Sequence, residues 1–177
     1  MPYSNGDTFS PTTGIAIERL LDGESVATNQ NPTGLGPSNA IQVEFGPAVL
    51  TGSDPVNLDA TGSLFINTAG TYRIKVSFQF SRSGNTGVSE LLFRVTDGLG
   101  NQLGRSIAAF INSANDEIYI ENDTWLTLPA GIELKFELMR DSNGNDSGGL
   151  TRYTPTVDGG DEWNHAPCAA IRVERWV

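Results

Sequence analysis

The sequence holds one cysteine, Cys168, and one histidine, His165. A lone cysteine excludes an intrachain disulfide, so the fold must stand on its packed interior. One histidine and one thiol also leave a soft metal short of ligands. Positive charge is scarce: 11 Lys and Arg face 21 Asp and Glu, a formal charge of −10. The bases form no run, which argues against nucleic acid as a direct partner, because phosphate binding needs clustered Lys and Arg. Apolar runs are short, and none approaches the ~20 residues of a membrane-crossing helix. The segment Met1-Pro2-Tyr3-Ser4-Asn5-Gly6-Asp7-Thr8 lacks the basic start and apolar core of a secretion signal, so a chain made and kept in a reducing cytoplasm until it assembles is expected. Also missing are a Gly-x-Ser-x-Gly elbow, a phosphate-binding loop and a dinucleotide fingerprint. Gly98-Leu99-Gly100 follows an extended segment but opens no helix, so it reads as a turn.

What is present is alternation. Tyr72, Ile74, Val76, Phe78 and Phe80 point one way, while Arg73, Lys75, Ser77 and Gln79 point the other. A side-chain period of two describes a strand with one buried face. Ile132, Leu134, Phe136 and Leu138 repeat the pattern, and each strand is entered through a glycine turn, at Gly70 and Gly131. Further short strands are expected at Ile41–Phe45, Val49–Leu50, Val56–Leu58, Leu64–Ile66, Leu91–Val95, Arg105–Asn112, Glu117–Glu121, Thr124–Leu128 and Ala169–Trp176. The 20 Gly and 9 Pro of the 177 residues supply the turns between them. Around ten evenly spaced strands with no convincing helix predict an antiparallel β-sandwich or jelly roll. Asn122-Asp123 reads as turn-like sequence, and no internal repeat is visible.

Residues 1–38 are expected to form an N-terminal arm, and residues 39–177 a single compact head. The arm is polar and broken by Pro2, Gly6 and Pro11. Within it, Ile15, Ile17, Leu20 and Leu21 give a short apolar pattern that fits a strand or a helical turn, and Ser25–Gln30 fits another strand.

With these strands in place, the chain resembles the jelly-roll trimers of the complement globular-head and tumour necrosis factor superfamily. The resemblance starts at Ile41–Phe45 and runs through Thr61-Gly62 to Ile66. It continues at Ala69-Gly70-Thr71-Tyr72, the glycine-x-tyrosine entry to the central strand. Leu126-Thr127-Leu128-Pro129-Ala130-Gly131 and the last strand, Ala170–Trp176, complete it. Many members carry Asp after the glycine of that penultimate turn; Ile132 stands there here, so no role of that Asp is transferred. The resemblance implies an all-β, TNF-like head that forms a homotrimer. A chain with no signal and no cystine, rich in Gly, Asn and Thr, looks most similar to virion components of tailed phages. Capsid decoration (cement) proteins bind and stabilise the shell.

The expected role is therefore structural and not enzymatic. The expected partners are the chain itself and the major capsid protein, with neither nucleic acid nor membrane involved and no cofactor or metal. The expected location is the capsid surface. Ile15, Ile17, Arg19, Leu20 and Leu21 are the candidate partner-binding residues of the arm. Tyr72, Tyr119, Trp125, Trp163 and Trp176 are the candidate trimer-interface residues, since aromatic side chains concentrate at interfaces. The alternative is a fibre head that reads host surface glycan through loop 141–166 around Trp163.

Two loops carry residues that suggest chemistry and are read otherwise. Asp141-Ser142-Asn143-Gly144-Asn145-Asp146 begins like a calcium loop, but its sixth position is Asp146 instead of Gly and its twelfth is Arg152 instead of Glu. Asp158, Asp161 and Glu162 gather near His165, yet one nitrogen among local carboxylates is a weak metal signal. His165 and Cys168 flank Pro167 three residues apart, which sets them on opposite faces of an extended chain. Cys168 is expected to be a small core residue.

Overall fold

The computed structural model describes residues 17–50, 55–82, 84, 87–114, 116–155 and 163–176. Among these residues, thirteen strands begin with β1 Ile17–Glu24, β2 Asn29–Gln30, β3 Ile41–Gln42, β4 Ala48–Leu50, β5 Val56–Leu58, β6 Leu64–Ile66 and β7 Gly70–Ser81. They continue with β8 Ser89–Asp97, β9 Gln102–Ile111, β10 Glu117–Leu128, β11 Ile132–Arg140, β12 Gly149–Thr151 and β13 Ala169–Trp176. Apart from these, Pro37–Asn39 makes one turn of 3-10 helix.

Two antiparallel sheets face each other. In the first, β7 is the central template: β10 pairs along its whole length on one side, and β13 then β12 pair on the other. Beyond β13 lie β1 and then β4, and beyond β12 lies β2. In the second sheet, β11 is central, with β8 and then β9 on one side, and β6, β5 and β3 on the other. This is the antiparallel jelly-roll sandwich that the alternation predicts.

The core lies between the inner faces. β7 buries each of Tyr72, Ile74, Val76, Phe78 and Phe80, the alternating set read from the sequence. Phe78 meets Phe93 of β8 at a ring-centroid separation of 4.5 Å, and Phe45 meets Phe136 of β11 edge-on at 5.1 Å. These rings span the two sheets, so truncating one leaves a void in both. Cys168 is buried in this core, where the Gln30 Nε2 donates to its sulfur at 3.4 Å.

Two connections depend on glycine. At Gly62 (φ +87°) a Cβ would fall 2.0 Å from the Val43 carbonyl oxygen, and at Gly46 (φ +72°) 2.1 Å from that of Glu24. Both backbones are left-handed and in contact with a neighbour's main chain, so any side chain is excluded twice over.

The N-terminal expectation is corrected here. Residues 17–24 are not part of a loose arm: β1 pairs with β13 through seven registered positions, Ile17 with Trp176 to Glu24 with Ala170. Leu20 and Leu21 are core residues, at 3% and 0% exposure. The reason is simple: the apolar stretch finds an unpaired edge on β13, and burying two leucines outweighs the entropy of a free segment. Residues 1–16, including Ile15, lie outside the described residues. A second correction concerns 117–128, which form one 12-residue strand rather than two short ones.

Candidate functional site

The candidate site is the outward face of the β7 sheet together with the flank where β9 and β10 end their sheets. Residues between the buried ones of β7 point out, and the antiparallel register lines their neighbours up beside them. Asp123, Lys75, Arg172 and Asp22 form one row across β10, β7, β13 and β1; Trp125, Arg73, Glu174 and Arg19 form the next.

Each charge in these rows is paired with an opposite one, within its row or from a neighbouring position. Arg73 grips Asp123 with two nitrogens, Nη2 to Oδ2 at 2.5 Å and Nε to Oδ1 at 2.9 Å, and reaches Glu174 at 3.2 Å through Nη1. Lys75 pairs with Glu121 at 3.0 Å, and Arg172 with Asp22 at 2.8 Å. Arg19 is bonded to Asp22 from the other side. The Arg73 hydrogen bonds draw the Asp123 carboxyl below the usual range and push the guanidinium up. At Asp22, burial works upward, but hydrogen bonds from Arg172 and Arg19 outweigh it and the pKa falls. Glu121 is lowered by the Lys75 hydrogen bond and by the Tyr119 hydroxyl, which donates to it at 2.9 Å. Isolated exposed pairs of this kind contribute little. As a connected lattice they fix the register of four strands and offer a patterned face to a partner.

Aromatic residues close one end of this face. Trp125 packs on Trp176 with ring centroids 4.8 Å apart, and the Arg73 guanidinium lies 5.6 Å from the Trp125 ring. Ile17 stands beside Trp176 in register, and all three side chains remain substantially exposed. Tyr119, further along β10, is 60% exposed.

The flank is unfinished. Ile118, Ile120 and Leu126 of β10 and Leu103 and Ile107 of β9 pack against the core but are only partly covered. Neither strand has a partner beyond it among the described residues. Among the described residues β10 therefore presents a free 12-residue edge whose inward side carries the apolar Ile118, Ile120 and Leu126, with Asn122 and Thr124 between them, the kind of edge that soluble proteins cover.

The remaining sequence candidates separate clearly. Ile17, Arg19, Tyr119, Trp125 and Trp176 share the outward face of the β7 sheet. Tyr72 does not: it is buried, and its hydroxyl donates to the Thr68 carbonyl at 2.5 Å. As the alternating strand buries its inward set, Tyr72 belongs to the core and not to an interface. Leu20 and Leu21 are excluded from surface contact for the same reason. Trp163 is 69% exposed and lies apart, in the segment before β13. In the calcium-like loop, the Asp141 carboxylate accepts from the Asn143 backbone N–H at 2.8 Å, and Asp146 pairs with Arg140 at 2.8 Å. Among the described residues, no three His, Cys, Asp or Glu side chains are grouped closely enough to hold a metal ion; Asp158, Asp161 and Glu162 lie outside them.

No protein-family model matches the sequence, and no curated protein matches it. Solved structures do. The structure of Eiger TNF from S. frugiperda superposes with a TM-score of 0.54 at 13% identity, over 90% of this chain and 92% of that one. The fold is that of the TNF-like jelly roll. The globular domain of zebrafish complement 1qA protein gives a TM-score of 0.48 at 14% identity, covering 92% of this chain and 97% of its own. In this TNF-like head the open flank is formed by the consecutive strands β9 and β10, one from each sheet. Sequence reasoning found the aromatic residues of the outward face by type. It missed the half-covered isoleucines of β10, because nothing local marks Glu117–Leu128 as a sheet edge.

Proposed function

We propose that this chain is a non-enzymatic structural protein whose TNF-like head closes into a homotrimer and decorates the shell of a phage capsid. The open β9–β10 flank carries the reading. Each copy has one open edge with five half-covered apolar side chains and, round the corner, one broad charged face with aromatic ends. Two such unlike surfaces on one molecule suit a head-to-tail contact, and three of these close a ring that covers the β9–β10 edge of each copy. The resemblance to trimeric jelly-roll heads supports the same arrangement.

The decoration role rests on what the surface offers: paired charges, exposed aromatic rings and an N-terminal segment that precedes β1. Residues 1–16 would contact the shell, three copies acting together so that weak contacts add through effective concentration. The test uses capsids stripped of the protein. Full-length chain saturates them, while a variant lacking residues 1–16 stays trimeric and no longer binds. Saturation by the truncated chain would overturn the role given to that segment, and failure of the full chain to bind would overturn the decoration reading.

A further inference from the structure

A cavity of about 350 Å³ opens at the end of the β7 sheet opposite the tryptophans, lined by Asn29, Asn31, Ser81, Arg82, Glu117 and Thr151 with Gly148. Register brings these residues together from four strands and their ends. Ser81 sits between Glu117 of β10 and Gly149 of β12, and Thr151 sits beside Asn29. Gly149 admits the Asn31 side chain against the strand: a Cβ there would fall 1.9 Å from Asn31 Oδ1.

The lining is polar and unspent. The side chains of Asn29, Asn31, Ser81, Glu117 and Thr151 make no hydrogen bond or ion pair to any described residue, in contrast to the paired lattice a few residues away. Arg82 is the exception that sharpens the point. It is only 5% exposed, yet no carboxylate among the described residues pairs with it. Its Nη1 and Nη2 donate to the carbonyls of Gly87 and Asn112, the latter at 3.1 Å, and its buried Nε has no acceptor. Buried polar groups ordinarily find partners, so a residue that lines the cavity and keeps an unpartnered buried nitrogen leaves that wall incompletely satisfied by the protein itself.

We infer that this cavity binds a saccharide unit. Two carboxamides and two hydroxyls each donate and accept, Glu117 only accepts and Arg82 only donates. A sugar ring presents hydroxyls that do both, at a density this lining matches, and its volume fits the space. A purely anionic ligand would meet Glu117, and an apolar one would leave the amides unpaired. The inference goes beyond self-association and capsid decoration and does not depend on either.

The experiment titrates the full chain with D-glucose, D-galactose and N-acetyl-D-glucosamine, and with short oligosaccharides of each, following the side-chain amide resonances of Asn29 and Asn31. At least one probe is expected to give saturable shifts, with a dissociation constant of about 1 mM or tighter. Tighter binding of the oligosaccharide would identify a polysaccharide as the natural source, and equal binding a single sugar. Asn31→Ala and Thr151→Ala should each weaken binding about tenfold, leaving the melting temperature and subunit number unchanged. Absence of shifts with every probe at about 100 mM, or binding undiminished in both variants, would overturn the assignment.

Discussion

Leu21 decides how the N-terminal region is to be understood. Fully enclosed among core residues, it should cost about 2–5 kcal/mol when cut to alanine. A residue reserved for partner contact would cost almost nothing, so chemical denaturation of Leu21→Ala separates the two roles. Gly62 makes a second single-residue test. Its backbone is left-handed, and the methyl of an alanine there would sit 2.0 Å from the Val43 carbonyl oxygen, so Gly62→Ala is strained twice. A loss of more than about 1 kcal/mol is expected, against the few tenths typical of a surface glycine. On the outward face the carboxylates of Asp22, Glu121 and Asp123 all titrate below their usual range. A carboxylate with a lowered folded pKa contributes stability that is complete above its unfolded value of about 4 and disappears as pH falls through the folded value. The melting temperature should hold level from about pH 8 to 5 and decline only below about pH 4, with Asp22→Asn showing a shallower decline.

At the scale of the element, β10 is the instructive case. Its centre, Asn122-Asp123, has low strand propensity and looks like a turn when read locally. In the fold it lies against Val76 and Lys75 of β7, and Arg73 holds the Asp123 carboxylate through two guanidinium nitrogens. A 12-residue template and a clamped side chain override local preference. Removing the clamp tests this: in Arg73→Ala, amide hydrogen exchange around residues 121–125 should quicken, while β13 exchanges as before. What was legible in the sequence followed from strict periodicity. β7 and β11 alternate without interruption because one face of each is sealed in the core, and so their buried sets could be read directly. β1 was not legible, because Gly23 and the bulge between Arg19 and Leu21 break its alternation. The outward site was half legible. Trp125, Trp176 and Tyr119 stand out by residue type, whereas Arg73, Asp123 and the saccharide cavity arise from register between strands far apart in sequence. No local pattern encodes that.

Taken whole, the molecule is a well-packed sandwich with one unfinished side. Five apolar side chains of β9 and β10 are left half-covered, and a lattice of paired charges occupies the adjoining face. In the proposed trimer a threefold ring would cover the β9–β10 flank and part of the charged face together, and the proposed shell-binding role would use that ring. Trp176→Ala and Ile120→Asp should weaken the ring, the second more severely because it sets a charge on the apolar flank; both are read as loss of subunit number with the far-ultraviolet β signal kept. The most direct test is the mass of the native full-length chain in dilute solution at neutral pH. A single species of three times the 18.9 kDa protomer is the expected result. A stable 18.9 kDa monomer that stays soluble with its β9–β10 edge bare would contradict the account.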